Sequence, residues 1–171
     1  MKYPIDIKKR IVLGGLEQAV HIWGTKQENP VVLFLHGGPG VPNRHGMAKR
    51  HMDLIDDFTI VAWDQRGTGG SYHGCDPDSL TLEQLISDCA ELLDYLCKTL
   101  NKKKIFLLGS SWGTELGTFV CQRYPHLIAG YIGYGQVVNG IENENVSYAY
   151  TLEKAREANC AEDIAELERI G

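Results

Sequence analysis

The sequence predicts an α/β fold, a mostly parallel sheet with helices on both faces. Three short apolar runs carry that prediction: Val31 to Leu35, Phe58 to Trp63 and Ile105 to Leu108. Continuous apolar runs of this length read as strands buried on both faces, the pattern of a parallel sheet under helices. Segments of helical period follow the later two runs, so strand and helix alternate as crossover connections require. At 171 residues the chain suits one domain with one core.

The elements follow in order. Residues 9–13 and 18–23 are two β-type runs around Gly14-Gly15, which predicts a hairpin. Pro30 and the glycines from Gly37 onward bound the first buried strand. Residues 81–100 place Leu82, Leu85, Ile86, Cys89, Leu93, Leu96, Cys97 and Leu100 at three- and four-residue steps, which predicts an amphipathic helix. Thr81 with Gln84 matches a capping box at its start. Trp112 to Tyr124 is the next predicted helix, stopped by Pro125. Tyr131 to Tyr134 is a weaker fourth strand of the sheet. Asn145 is placed to cap a helix over 146–158, with a second helix from Ala161 to Ile170.

Composition excludes several functions. A net charge of −5 with no Lys/Arg stripe argues against nucleic acid. No run reaches the roughly 18 apolar residues of a membrane span, and Met1 to Arg10 holds no apolar signal-peptide region. The five cysteines (75, 89, 97, 121 and 160) are odd in number, scattered and free of C-x-x-C spacing, which predicts thiols and a cytoplasmic protein. Cys89, Cys97 and Cys121 fall on apolar helical positions and read as core. His45 and His51 are six apart, off one helical face, and H-E-x-x-H is absent, so no metal site is expected.

In open α/β sheets chemistry gathers at the carboxyl ends of the strands. The run 105–108 leads into Gly109-Ser110-Ser111-Trp112-Gly113 and then into a helix. This is G-x-S-x-G in the strand–turn–helix setting that gives it meaning, with Ser111 as nucleophile. Gly109 and Gly113 leave room for a strained turn where a Cβ would clash. The helix starting there aims backbone N–H groups at developing negative charge. The run 31–35 leads into His36-Gly37-Gly38-Pro39-Gly40, whose glycines let a backbone N–H face the same space. His36 precedes the nucleophile and sits beside these glycines, which suits a residue that braces the loop. Trp63-Asp64-Gln65-Arg66-Gly67-Thr68-Gly69-Gly70-Ser71 lacks both the Gly-Lys-Ser/Thr ending of a phosphate loop and G-x-G-x-x-G spacing. It reads as scaffold, with Asp64 and Arg66 pairing or satisfying loop carbonyls, and no cofactor is expected.

These three motifs, in this order at 36–40, 63–71 and 109–113, resemble the proline iminopeptidase branch of the α/β-hydrolases. The resemblance covers roughly residues 10–140. It implies an α/β-hydrolase fold, Ser111 as nucleophile, and the N–H groups of Gly38 and Trp112 as the oxyanion hole. It further implies release of N-terminal residues, often proline, from short peptides. Close relatives hydrolyse esters or amides, which leaves an esterase as the alternative. A serine at the elbow argues against the dehalogenase and epoxide hydrolase relatives, which use aspartate there. In such enzymes the histidine base and orienting acid follow the serine, beyond a helical cap. Here only His126 follows, beside Pro125 at a helix end, on the far side of the sheet from the elbow. Glu142 and Glu144 are weak candidates for the acid. Residues 1–140 then read as the front part of the core and 141–171 as the beginning of the cap. On that reading the chain is truncated, and a catalytically inactive fragment is the third possibility.

Overall fold

The computed structural model describes residues 5–50 and 53–171. His51, and Met1 to Pro4 of the segment read for a signal peptide, lie outside them. The chain forms two compact units, one up to Gln136 and one from Val137 to Gly171.

The first unit is a six-stranded sheet. β1 (Ile5–Leu13) and β2 (Leu16–Gly24) form the antiparallel hairpin. Gly14 and Gly15 turn it with φ of 52° and 78°, the pair of positive values that a tight two-residue loop needs. β3 (Val31–Leu35), β4 (Thr59–Trp63), β5 (Ile105–Ser110) and β6 (Ile128–Tyr134) are mutually parallel, and every residue of β3 and β4 is buried. The order across the sheet is β1-β2-β4-β3-β5-β6, with β2 antiparallel to β4. From β3 the chain moves one way to β4 and later returns to the other side for β5. The reversal makes the carboxyl ends of β3 and β5 a topological switch point, where α/β sheets open a crevice.

Helices cover both faces. α2 (Leu82–Thr99) and α3 (Trp112–Arg123) pack Ile86, Cys89, Leu93, Leu96, Leu116 and Val120 on Leu33, Leu35, Val61, Ile105 and Leu107. On the other face α1 (Arg44–Arg50) contributes Met47 beside Trp23, Val32, Phe34, Ile60 and Ala62. Cys89 is fully buried and its thiol is pushed far up by desolvation, so it serves as core. Thr81 Oγ1 accepts the Gln84 N–H at 3.1 Å, which caps α2. The returning half of the predicted capping box is replaced, because Gln84 Nε2 donates to Asp88 Oδ1 at 2.8 Å. A buried carboxylate one turn on is the stronger acceptor.

The second unit is a helix pair, α4 (Gly140–Glu157) and α5 (Ala161–Ile170). α4 begins six residues before the expected start. Its cap is Asn139, whose Oδ1 accepts the Glu142 N–H at 3.1 Å, and Asn145 lies inside the helix. Both asparagines precede helix-forming residues, and the earlier one satisfies the free N-terminal amides. Tyr148 Oη donates to Leu167 O at 3.1 Å, tying the pair together.

Candidate active site

β5 ends at Ser110 and α3 begins at Trp112, so Ser111 alone makes the turn. Its φ of 53° and ψ of −129° are rarely adopted by a residue with a side chain. The glycines around it make that turn possible. A Cβ on Gly109 would lie 2.6 Å from Gly113 O, and one on Gly113 would lie 2.2 Å from Leu35 O. The elbow is held from below and beside. Ser111 N–H donates to Tyr134 O at 2.9 Å, and the Thr114 N–H and Oγ1 both donate to Ser111 O at 2.8 and 2.6 Å. Tyr131 Oη in turn donates to Thr114 O at 3.0 Å. The side chain of Ser111 is left exposed at the carboxyl end of the sheet.

The second motif stands next to it because β3 pairs with β5, Leu35 facing Gly109. A Cβ on Gly37 would come within 2.8 Å of Ser111 Cβ, so the glycine allows the two strand ends to touch. Gly38 follows with φ of 119°, is exposed, and is joined to Pro39 by a cis peptide bond. Neither the Gly38 nor the Trp112 amide enters a hydrogen bond among the described residues.

His36 is 1% exposed and fully committed. Its Nε2 accepts the Gln65 N–H at 3.2 Å, and an amide can only donate, so the proton sits on Nδ1 and points at Gly37 O, 3.0 Å away. Burial pushes its pKa down, which keeps the ring neutral. Gln65 Nε2 donates to His36 O at 3.1 Å, locking the loop after β4 onto the loop after β3. His36 therefore braces the glycines and has no lone pair left for Ser111.

Asp64 and Arg66 do not pair with each other. Asp64 is buried and accepts Arg44 Nε at 2.9 Å and the Gly70 N–H at 2.8 Å. Arg66 reaches the opposite way to Asp88, at 2.8 and 3.0 Å, and donates to the carbonyls of Leu13 and Gly14. Asp88 also accepts Gln18 Nε2 at 2.6 Å, and Gln18 Oε1 accepts the Trp63 indole N–H at 2.9 Å. The Asp88 hydrogen bond pushes the Arg66 pKa up and secures its charge. The sequence reading passed over Asp88; the available signal was a carboxylate on the apolar face of α2, a position that demands a buried partner without saying which.

No histidine hydrogen-bonds Ser111 Oγ among the described residues. His21 does pair with a carboxylate, Asp6 Oδ1, at 2.7 Å. It stands on β2, three strand spacings from β5, or roughly 14 Å. His45 touches Arg44 on α1, and His73 meets Tyr72 edge-on. His126 precedes β6, at the amino ends of the parallel strands and the length of β5, roughly 20 Å, from the elbow. Glu142 and Glu144 lie in the first turns of α4. Among the described residues no cluster of His, Cys, Asp or Glu side chains is placed to hold a metal ion, and no helix is long and apolar enough to cross a membrane.

A serine on a strained strand–helix turn, at the switch point of a parallel sheet, matches the family model described as the alpha/beta hydrolase fold over residues 30–163. The chain belongs to the α/β-hydrolase fold family. Among its relatives, the probable aminopeptidase YbaC of Bacillus subtilis (strain 168) is 37% identical over 153 residues, which is 89% of this chain and 48% of that protein. A proline iminopeptidase of Lactobacillus acidophilus is 31% identical over 128 residues, 74% of this chain and 42% of the relative. The chain thus spans about half the length of the curated relatives it matches. A proline iminopeptidase-related protein from Thermus thermophilus superposes with a TM-score of 0.69 at 25% identity, covering 99% of this chain and 57% of that one. Epoxide hydrolase VrEH1 from Vigna radiata shares the fold, with a TM-score of 0.69 at 24% identity over 91% of this chain and 48% of its own.

Proposed function

We propose that this α/β-hydrolase chain is the nucleophile-bearing part of a serine aminopeptidase of proline iminopeptidase type. The observation that carries the proposal is the conjunction at one switch point of an exposed serine at φ 53° and two unbonded amides, one on the loop after β3 and one at the start of α3. Likeness to relatives named proline iminopeptidase supports the substrate class, a short peptide with N-terminal proline. Ser111 Oγ attacks the carbonyl carbon of the first residue while its proton passes to a base. The carbonyl oxygen becomes an oxyanion, held by the N–H groups of Gly38 and Trp112 and by the positive end of α3. Collapse breaks the C–N bond, the amine leaves with a proton, and water then hydrolyses acyl-Ser111. No described histidine hydrogen-bonds Ser111 Oγ, so on this reading the base and its acid come from polypeptide other than the described residues.

Added imidazole tests the proposal by standing in for the base. Nitrophenyl acetate should acetylate Ser111 in proportion to imidazole concentration, read by peptide mass spectrometry, and Ser111→Ala should take up no acetyl group. Imidazole-dependent acetylation spread over other serines, with Ser111 unmodified, would refute the nucleophile.

A further inference from the structure

Residues two apart on a strand share a face, so Lys8 and Arg10 of β1 stand together, beside His21 and Ala19 of β2 in the register. Lys9 takes the other face, where its Nζ donates to Tyr95 Oη of α2 at 2.9 Å. The fold then brings Arg44 of α1 to Lys8 and Arg10, and the three line a cavity of 240 Å³ that Lys9, Ala19 and Gly70 also border. No acidic side chain lines it. Gly70 keeps it open, because a Cβ there would lie 2.8 Å from Ala19 Cβ and 3.1 Å from Arg44 Nη2. Burial is the main cause that lowers the His21 pKa, and Lys8 and Arg44 lower it further against Asp6, so both cations stand near that ring. The carboxylates close by are already engaged, Asp6 by His21 and Asp64 by Arg44 Nε. Among the described residues neither Lys8 nor Arg10 has a carboxylate partner. Two positive charges are thus left uncompensated in a chain whose net charge is −5. Arg44 adds direction to that charge, since Asp64 and His45 take only part of its fork of N–H donors.

We propose that this cavity is an anion site that takes the phosphate group of a small phosphate monoester. Near pH 7 such a group carries about −1.5 to −2 charges, which matches the two uncompensated cations, and its oxygens fit the planar Arg44 fork. The cavity is smaller than the roughly 300 Å³ at which pockets for whole ligands begin. It holds the charged group and leaves the rest of the ligand in solvent. Guarding a bare strand edge needs charge on either face of β1; it requires neither Arg44 nor the bare floor at Gly70. The site lies apart from β5 and α3, and it stands whether or not Ser111 is a nucleophile.

Strand alternation supplies the control. In ¹⁵N-labelled protein at about pH 7.5, where the phosphate is mostly dianionic, inorganic phosphate and glycerol 3-phosphate should each move the Gly70 amide and His21 ring resonances saturably. Sodium chloride at equal ionic strength should not. Lys8 and Arg10 are exposed, so Lys8→Gln and Arg10→Gln should keep the remaining spectrum while each weakens both titrations by about tenfold. Lys9→Gln removes the same charge from the other face and should change them by less than about twofold, because diffuse charge is screened by salt. Shifts that grow without saturating, or equal weakening in Lys8→Gln and Lys9→Gln, would reduce the patch to diffuse counterion attraction and overturn the site. Saturable binding of inorganic phosphate with no response to glycerol 3-phosphate would overturn the monoester assignment.

Discussion

The two edges of the sheet are finished differently. β1 carries Asp6, Lys8, Lys9 and Arg10, all exposed, and such charges keep a bare strand edge from pairing with other chains. β6 reads Ile-Ala-Gly-Tyr-Ile-Gly-Tyr, with no charge, Ile132 56% exposed and Tyr134 74% exposed. The first edge is built to face water. The second has the composition of a strand meant to be covered. The Ser111 elbow hangs on the second edge, through the hydrogen bond from Ser111 N–H to Tyr134 O. The β1 edge is thus shielded by its own charges, whereas the Ser111 corner leans on a strand whose outer edge pairs with no other strand among the described residues.

Substitutions should sharpen this contrast, and the largest effects belong to the finished side. Asp88→Ala removes the partner of a buried guanidinium and should cost about 3–5 kcal/mol, read from urea unfolding. Asp88→Asn keeps one of the two acceptor oxygens, enough for Gln18 or Gln84 but not both, and should cost less. At the junction of the two regions, Gly113→Ala drives a Cβ into the Leu35 carbonyl and should cost about 3 kcal/mol. Equal stability of Gly113→Ala and the parent would show that α3 approaches β3 less closely than the 2.2 Å from that Cβ to Leu35 O implies. At the edges the effects are on association. Ile132→Lys should weaken self-association by about tenfold in sedimentation, and replacing Lys8 and Arg10 together by Thr should strengthen it. Opposite responses would reverse the assignment of the two edges.

Smaller still is the effect of pH. His36 is held below its ordinary value of 6.5 by burial, and His21 likewise, with Asp6 opposing. The unfolded chain therefore takes up protons first as pH falls. Stability should be level well above 6.5 and decline through and below it, as the unfolded state gains protons the folded state refuses. His36→Gln should flatten that decline, seen in urea midpoints measured from about pH 8 down to about pH 5.

How far the sequence foretold this arrangement depended on the range of each interaction. β3, β4, β5 and α2 were legible because burial on both faces, or along one helical face, leaves a local pattern. The elbow was legible because its glycines answer a local steric demand. α1 was not, since Arg44 to Arg50 buries Met47 with no apolar repeat around it. The partners of Asp64 and Arg66 were not, because Arg44 and Asp88 lie 20 and 22 residues away in opposite directions. The cap of α4 was misplaced because Asn139 and Asn145 offer the same local chemistry and only the folded amides choose between them. The family followed from three motifs in order, and the match over residues 30–163 agrees with it.

The central claim is that the strained elbow stands beside the proposed oxyanion donors while no described histidine hydrogen-bonds Ser111. Turnover of proline naphthylamide and of a short-chain nitrophenyl ester by purified residues 1–171, set beside Ser111→Ala without imidazole, tests it most directly. A serine hydroxyl attacks poorly until a neighbouring base accepts its proton, so the two proteins should give the same rates on both substrates. Robust turnover that disappears in Ser111→Ala would contradict the account and place a working base inside this chain.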